Sequence, residues 1–204
     1  MDKLDLRKQY KPLYSPGSRE FTLIEIPALQ YLMIDGHGDP AVTQDYVDAV
    51  QTLYSLSYTL KFHLKKTQGI DYTVMGLEGL WWMPDMRNFS LERRADWDWT
   101  MMILQPDFVT PGLIGEAKDI AAAKGKAPQA NRARLEVLEE GKCVQIMYFG
   151  PYVDEAPVIA RMHTWIREHG YTPSGKHHEI YLSDPRKVAP EKNKTILRQP
   201  LGKL

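Results

Sequence analysis

Two hydrophobic rhythms run along this chain, and the places where one gives way to the other mark its elements. Val47, Val50, Leu53, Tyr54, Ser57 and Leu60 follow one another in steps near three and four, the spacing that puts side chains on one face of a helix. Thr43 is the expected N-cap, Asp45 sits in the first turn, and the helix should end near Gly69. Val158, Met162, Trp165 and Ile166 form a second stripe, predicting a helix from about Asp154 to His169 with Gly170 beyond it. Thr110-Pro111 opens a third helix over 111–124, stopped by Gly125, because proline fits the first helical turn. The remaining apolar runs read as strands. Residues 21–34 form two short segments bent at Pro27, and 73–83 pairs with 97–105. Residues 133–138 and 142–148 form another interrupted pair, and 177–183 and 194–198 complete the set. The first 20 residues are polar, carry Pro12, Pro16 and Gly17, and read as an arm over the surface.

These elements fall into two halves of the same order: strand, helix, strand, strand. Asp35-Gly36-His37-Gly38 ends the first long strand, and Phe149-Gly150-Pro151-Tyr152 ends its counterpart 114 positions later. Each half carries a glutamate early in the strand after its helix, Glu78 in Glu-Gly-Leu-Trp-Trp and Glu179 in Glu-Ile-Tyr-Leu-Ser. The interval from Gly36 to Glu78 is 42 positions and that from Gly150 to Glu179 is 29, so the second helical region is shorter. The expected fold is α+β: duplicated βαββ modules with pseudo-twofold symmetry, their antiparallel sheets forming a concave ligand cavity with the helices on the other face. The expected boundaries are an arm over 1–20 and a single domain over 21–204. Within it the first half covers about 21–108, the connecting helix 111–124 and the second half about 133–201.

Composition narrows the function classes. With 204 residues, 43% hydrophobic and 25% charged, the chain is long enough for that domain. Its 26 Lys and Arg balance its 26 Asp and Glu, so the basic excess of a generic phosphate-backbone binder is missing and no direct nucleic-acid partner is expected. The single cysteine, Cys143, excludes an intrachain disulfide and a cysteine zinc cluster. No apolar run approaches the ~20 residues of a membrane span, and the N-terminus lacks an apolar signal core, so a cytoplasmic protein is expected. His177 and His178 alternate across a strand, and His163 and His169 stand six apart on a helix, so neither pair converges on a metal. No cofactor fingerprint is present, and no cofactor is expected. A cavity within one chain makes a monomer sufficient and leaves a dimer open.

Several motifs in one order resemble a known family. His177-His178-Glu179-Ile180-Tyr181-Leu182-Ser183-Asp184-Pro185, followed by Lys194-Thr195-Ile196-Leu197-Arg198-Gln199-Pro200, resembles the C-terminal signature of GyrI-like small-molecule-binding proteins. Leu77-Glu78-Gly79-Leu80-Trp81-Trp82 and Asp98-Trp99-Thr100-Met101-Met102-Ile103-Leu104-Gln105-Pro106 resemble the first-half signature of a stand-alone subgroup. Glu140-Gly141-Lys142-Cys143-Val144-Gln145 and Gly150-Pro151-Tyr152 fit the same pattern. The resemblance implies a duplicated βαββ fold around an aromatic-lined cavity. Related domains are effector sensors of multidrug-responsive regulators, where a glutamate matching Glu179 faces cationic drugs. Stand-alone members similar to this chain are implicated in hydrolysing cyclopropane-bearing, DNA-alkylating compounds, and other members protect DNA gyrase.

The residues themselves suggest how such a cavity would work. Strand alternation puts His177, Glu179 and Tyr181 on one face and His178, Ile180 and Leu182 on the other. With Ile180 and Leu182 packed under the helices, Glu179 faces the concave side. A carboxylate among aromatic rings is costly to desolvate. It earns a place there as counter-charge to a cation or as a group that exchanges a proton. Glu78 shares parity with Leu80 and Trp82, and either faces the same cavity or is solvated or ion-paired. Trp81, Trp82, Trp97 and Trp99 lie within 19 residues, and alternation cannot place all four on one face. Trp82 and Trp99 are the first candidates for a wall on which flat or cationic ligands stack, with Trp81 after them. Tyr148 and Tyr181 are candidates for hydrogen bonds to a ligand oxygen.

The leading expectation is therefore a hydrolase acting on a hydrophobic, electrophilic small molecule, with Glu179 and Tyr148 catalytic and Glu78, Trp81, Trp82, Trp99 and Tyr181 binding. The alternative is detoxification or sensing by binding alone, with a cationic drug held against Glu179. A gyrase-interacting role rests on kinship only.

Overall fold

The computed structural model describes residues 3–85 and 91–203. The chain opens with two short helical turns, α1 (Leu6–Gln9) and α2 (Lys11–Tyr14), then β1 (Thr22–Ile26) and β2 (Leu29–His37) bent at Pro27. Helix α3 (Gln44–Gln68) follows, with Thr43 at its N-cap and Gly69 ending it at φ +70°, its amide returning to the Leu64 carbonyl. Next come β3 (Glu78–Trp82), β4 (Asp98–Leu104) and α4 (Pro111–Ala122), whose first turn is capped by the Thr110 hydroxyl accepting from the Leu113 amide. The second half runs through β5 (Arg134–Leu138), β6 (Gly141–Phe149), α5 (Ala156–Glu168), β7 (Tyr171–Pro173), β8 (His177–Tyr181) and β9 (Lys194–Lys203).

Three boundaries differ from the sequence pattern, each for a local reason. β3 starts at Glu78 rather than 73, because the preceding segment bonds the N-terminal arm instead: the Leu4 amide donates to the Asp71 carbonyl and the Thr73 amide to the Leu4 carbonyl. β9 continues through Pro200 to Lys203, where it gains β7, a strand that the Pro-Gly-rich ending concealed. The arm itself is folded in. Leu6, Leu13 and Tyr14 are buried, although residues around them are polar. Residues 1 and 2 of the arm lie outside the described residues.

Nine strands form one open, antiparallel sheet in the order β1-β6-β9-β8-β3-β4-β2-β5, with β7 on β9. The centre is the β8–β3 pair, which puts Gly79 opposite Glu179 and Glu78 opposite Ile180. Each half contributes its long strand, last strand and middle strand in matching order outward to inward, and the outermost strands are exchanged: β1 lies on β6 and β5 on β2.

Both faces of the sheet are covered, by different means. On one face α3 crosses β2 and β4, burying Leu53, Leu56, Leu60 and Leu64 completely. Each such leucine contributes roughly 2 kcal/mol. On the same face α5 packs Met162 and Ile166 against Val144, Ile146 and Leu197 as a second, smaller core. The opposite face is backed by the arm. Polar side chains of β8 occupy the seam between the two helix-side cores, and that seam positions the site.

Candidate functional site

Cross-strand register fixes which side chains share the seam. Residues directly opposite in an antiparallel pair project to the same face. Trp81 opposes both Trp99 and His177, and Gly79 opposes Glu179, so Trp81, Trp99, His177, Glu179 and Tyr181 share the face that carries α3 and α5. Thr195 opposes Tyr181 and Tyr148, which adds both to that face. The expectation that Glu179 looks away from the helices does not hold. Ile180 packs on the arm-covered face, and on a sheet buried on both sides an apolar residue does not reveal which side the helices take.

Glu179 is held from several directions. The Tyr181 hydroxyl donates to its Oε2 at 2.7 Å and accepts from the Trp81 indole N–H at 3.0 Å. His177 Nε2 stands 3.6 Å from Oε1, beyond hydrogen-bond length. Tyr46, from the first turn of α3, lies near-parallel to Trp81 at 6.2 Å and edge-on to Trp99 at 5.4 Å. Tyr152, in the turn before α5, meets Tyr181 edge-on at 5.6 Å. Glu155 follows in the same turn, buried at the N-cap of α5 without capping it. Burial first, and the Glu179 charge second, push the Glu155 carboxyl up to about 9, offset in part by the Thr195 hydroxyl. Burial and then the Glu155 and Glu179 charges raise Tyr152 to about 12, and burial with Glu179 raises Tyr46 and Tyr181. These phenols therefore remain donors.

The seam also concentrates unsatisfied polar atoms. Of ten buried side-chain nitrogen and oxygen atoms without a hydrogen-bond partner among the described residues, five lie here: Glu155 Oε1, His163 Nε2, both ring nitrogens of His177, and Thr195 Oγ. Burial, then His177, lower the His163 imidazole, which disfavours its charged form. An unpartnered buried polar group costs about 1–3 kcal/mol, and five such atoms gathered in one seam set it apart from the rest of the core. Among the described residues, no group of three or more His, Cys, Asp or Glu is placed to hold a metal.

The other sequence candidates separate. Trp81 and Trp99 join Glu179, whereas Trp82 is on the opposite face, because register counts from Gly79. Trp82 lines a groove of about 600 Å³ with Asp35, His37, Asp98 and Arg132, and the Lys176 ammonium lies 3.3 Å over its ring. Trp99 is wholly buried and packs flat on Gly36, where an added Cβ would lie 2.0 Å from the ring. The Tyr148 hydroxyl donates to the Pro151 carbonyl at 3.0 Å.

Glu78 does not share a cavity with Glu179. It is fully buried on the arm face in a charged network. The Tyr14 hydroxyl donates to Glu78 Oε1 at 2.7 Å, and His178 Nε2 meets Oε2 at 3.0 Å. His178 Nδ1 reaches both Glu140 oxygens at 3.0 Å. Arg198 bonds Glu140 at 3.3 Å, Gln145 at 3.0 Å and the Leu13 carbonyl at 2.8 Å. Burial opposes charge on His178, but Glu140 and Glu78 outweigh it and raise the imidazole; His178 and Arg198 in turn overcome burial to hold Glu140 at about 2. This cluster ties the arm to the sheet.

Sequence reasoning missed Tyr46, Tyr152, Glu155, His163 and Thr195. Tyr46 and Glu155 come from helix starts and His163 from the middle of α5, where no local motif announces them; Tyr152 and Thr195 lie inside motifs read for family likeness, but nothing local gave either a role in the site. His177 was detectable, since it shares parity with Glu179.

Comparison with known proteins gives the family and the fold. The GyrI-like small molecule binding domain model matches residues 19–201. A crystal structure of an uncharacterised conserved protein from Listeria innocua superposes with a TM-score of 0.90 at 41% identity, covering 98% of this chain and 100% of its own. Two crystal structures of a hydrolase from the same organism give TM-scores of 0.85 and 0.87 at 39% and 40% identity, each covering 98% of this chain and 100% of its own. The EcmrR C-terminal domain, at 13% identity and a TM-score of 0.60, covers 91% of this chain and 98% of its own and shares the fold. No curated protein matches the chain. With a family model spanning most of its length and a seam of aromatic and unsatisfied polar side chains, this chain belongs to the GyrI-like small-molecule-binding domain family.

Proposed function

We propose that this protein is a hydrolase that adds water to flat, electrophilic, cyclopropane-bearing toxic compounds, with Glu179 as the base and without a cofactor. The observation that carries the reading is the concentration of partnerless buried polar atoms around Glu179, between aromatic walls. The hydrolases from Listeria innocua, similar over the whole chain, support a catalytic reading. Trp81, Tyr46 and Tyr152 flank the flat ligand. Tyr181 fixes Glu179 Oε2, leaving Oε1 to take a proton from the attacking water. Holding water and ligand together removes much of the entropic barrier. Tyr148 steadies a ligand oxyanion by giving up its bond to the Pro151 carbonyl. Two acidic side chains beside aromatic rings also favour a second reading, sequestration of a cationic hydrophobic drug without turnover.

Multiple-turnover mass spectrometry separates the two. A spirocyclopropyl cyclohexadienone is supplied in large excess over wild type and Glu179→Gln. Many equivalents of water adduct from wild type, and none above background from the variant, are expected. Equal turnover by the variant removes Glu179 from the chemistry, and tight binding with intact ligand recovered moves the reading to sequestration.

A further inference from the structure

We infer that the groove between α3 and α4 is a docking surface for a helix of another protein, amphipathic and acidic at both ends. The inference does not depend on the hydrolytic reading, because the groove uses the side of α3 turned away from Leu53, Leu56, Leu60 and Leu64, and so away from the sheet. The groove has a volume of about 770 Å³. Along it runs an aromatic row at one-turn spacing. The Tyr54 and Tyr58 rings are near-parallel with centroids 6.4 Å apart, and Tyr58 and Phe62 repeat the arrangement at 6.2 Å. Tyr58 is 46% exposed and Phe62 60% exposed. Neighbouring aromatic rings left together in water form a contiguous apolar patch, which marks an interaction surface, whereas singly scattered exposed residues do not.

Charge identifies the partner. Lys66, Lys124 and Lys126 line the groove, all three are exposed, and none has an ion-pair partner among the described residues. No aspartate or glutamate is among the lining residues. Two contacts give the direction of α4. His63 meets Glu116 at 2.9 Å, whereas Gln129, beyond the end of α4, donates its amide N–H to the Thr52 hydroxyl at 3.1 Å. α4 therefore runs antiparallel to α3, so Lys124 and Lys126 stand at the Gln51 end of the row and Lys66 at the other. At about 1.5 Å of rise per residue, the two ends lie about 20 Å apart. A guest that fits carries carboxylates about that far apart with an apolar stripe between them. A helix of about four turns provides both, its apolar side chains at i, i+3 or i+4, and i+7 lying on the rings. A nucleic-acid strand needs cations all along its phosphates, but beside the middle of this row stands the Glu116 carboxylate. A second copy set groove to groove would bring lysine against lysine.

The test is selection from a phage-displayed library of random peptides about 16 residues long, enough for about four helical turns, on the full-length protein. The enriched peptides are then synthesised and titrated by fluorescence anisotropy. Enriched sequences should carry Asp or Glu at both ends of an apolar stripe of helical period. Their affinity should fall about tenfold or more in Phe62→Ala and Tyr58→Ala, because a few central anchors dominate such interfaces. It should fall about threefold or more in Lys66→Glu and Lys124→Glu, and weaken in wild type as salt rises. Both rings are exposed, so urea unfolding of the alanine variants should match wild type. No enriched pattern, enrichment of neutral or basic sequences, or equal binding by wild type and Phe62→Ala overturns the inference. Tighter binding of an oligothymidylate that is lost in Phe62→Ala also overturns it, in favour of a single-strand site. So does a concentration-dependent dimer in sedimentation that the same variant abolishes, in favour of self-association.

Discussion

Replacing Tyr14 with phenylalanine tests whether the arm is held by chemistry or merely rests on the sheet. The substitution keeps the buried ring and removes one atom, the hydroxyl that donates to Glu78 Oε1 at 2.7 Å. Glu78 is 0% exposed, so solvent cannot replace that donor, and only the His178 contact at 3.0 Å remains to it. A hydrogen bond to a charged group contributes about 1.5–3 kcal/mol, and leaving its buried acceptor short adds to the loss. The expected destabilisation is therefore about 3 kcal/mol. Equilibrium urea unfolding followed by tryptophan fluorescence should register it. With a slope of about 3 kcal/mol per molar for a chain of this size, the midpoint should fall by about 1 M. Tyr14→Phe, Glu78→Gln and the double variant form a cycle, and residues in direct contact should couple by more than about 0.5 kcal/mol. A loss under about 0.5 kcal/mol for Tyr14→Phe, or strict additivity, would refute the argument that the buried carboxylate latches the arm.

Two further perturbations probe the other face. Because the Glu155 carboxyl is raised to about 9, its contribution to stability is full below its unfolded value of 4.5 and is lost as pH rises toward 9. Between about pH 5 and 8 this one proton should cost wild type about 1.4 kcal/mol per pH unit, a slope that Glu155→Gln abolishes in urea titrations. Parallel slopes for the two proteins would contradict the buried, protonated state. Gly36→Ala should destabilise by about 1–3 kcal/mol through overpacking, since its Cβ would stand 2.0 Å from the Trp99 ring. Gly17→Ala, with nothing within 4 Å, is the neutral control, and equal melting temperatures for the two would remove the packing argument.

Helix α3 was legible because its apolar stripe, Asp45 and Gly69 all agree on one element. The Glu179–Tyr181 pair was legible too, because parity within a single strand is local. What parity cannot say is which face of the sheet the helices take. Here the arm covers the face opposite the helices, so Ile180 is buried as deeply as any residue beneath a helix. That same blind spot paired Glu78 with Glu179 and preferred Trp82 to Trp81. The arm itself was hidden because Leu6, Leu13 and Tyr14 are isolated among polar residues and make no period. Glu155 was unreadable because its character comes from burial first and from Glu179 second, both products of tertiary packing, and not from Asp154 or Ala156 beside it.

The exchange of outer strands has a consequence for how the seam behaves. β1 precedes β2 in the chain but is zipped to β6, with Thr22 opposite Gln145, while β5 precedes β6 but is zipped to β2, with Leu29 opposite Leu138. Each half is thus completed by a strand on loan from the other, and the two cannot swing apart like the leaves of a hinge without unzipping both outer ladders. A chain cut between 124 and 134 would leave two fragments, each with a bare strand edge of the kind that aggregates. Assembly waits on contacts more than a hundred residues apart, which slows folding. The strands that carry Glu179 and Trp81 are therefore held in a frame that stays shut as long as both outer ladders are zipped.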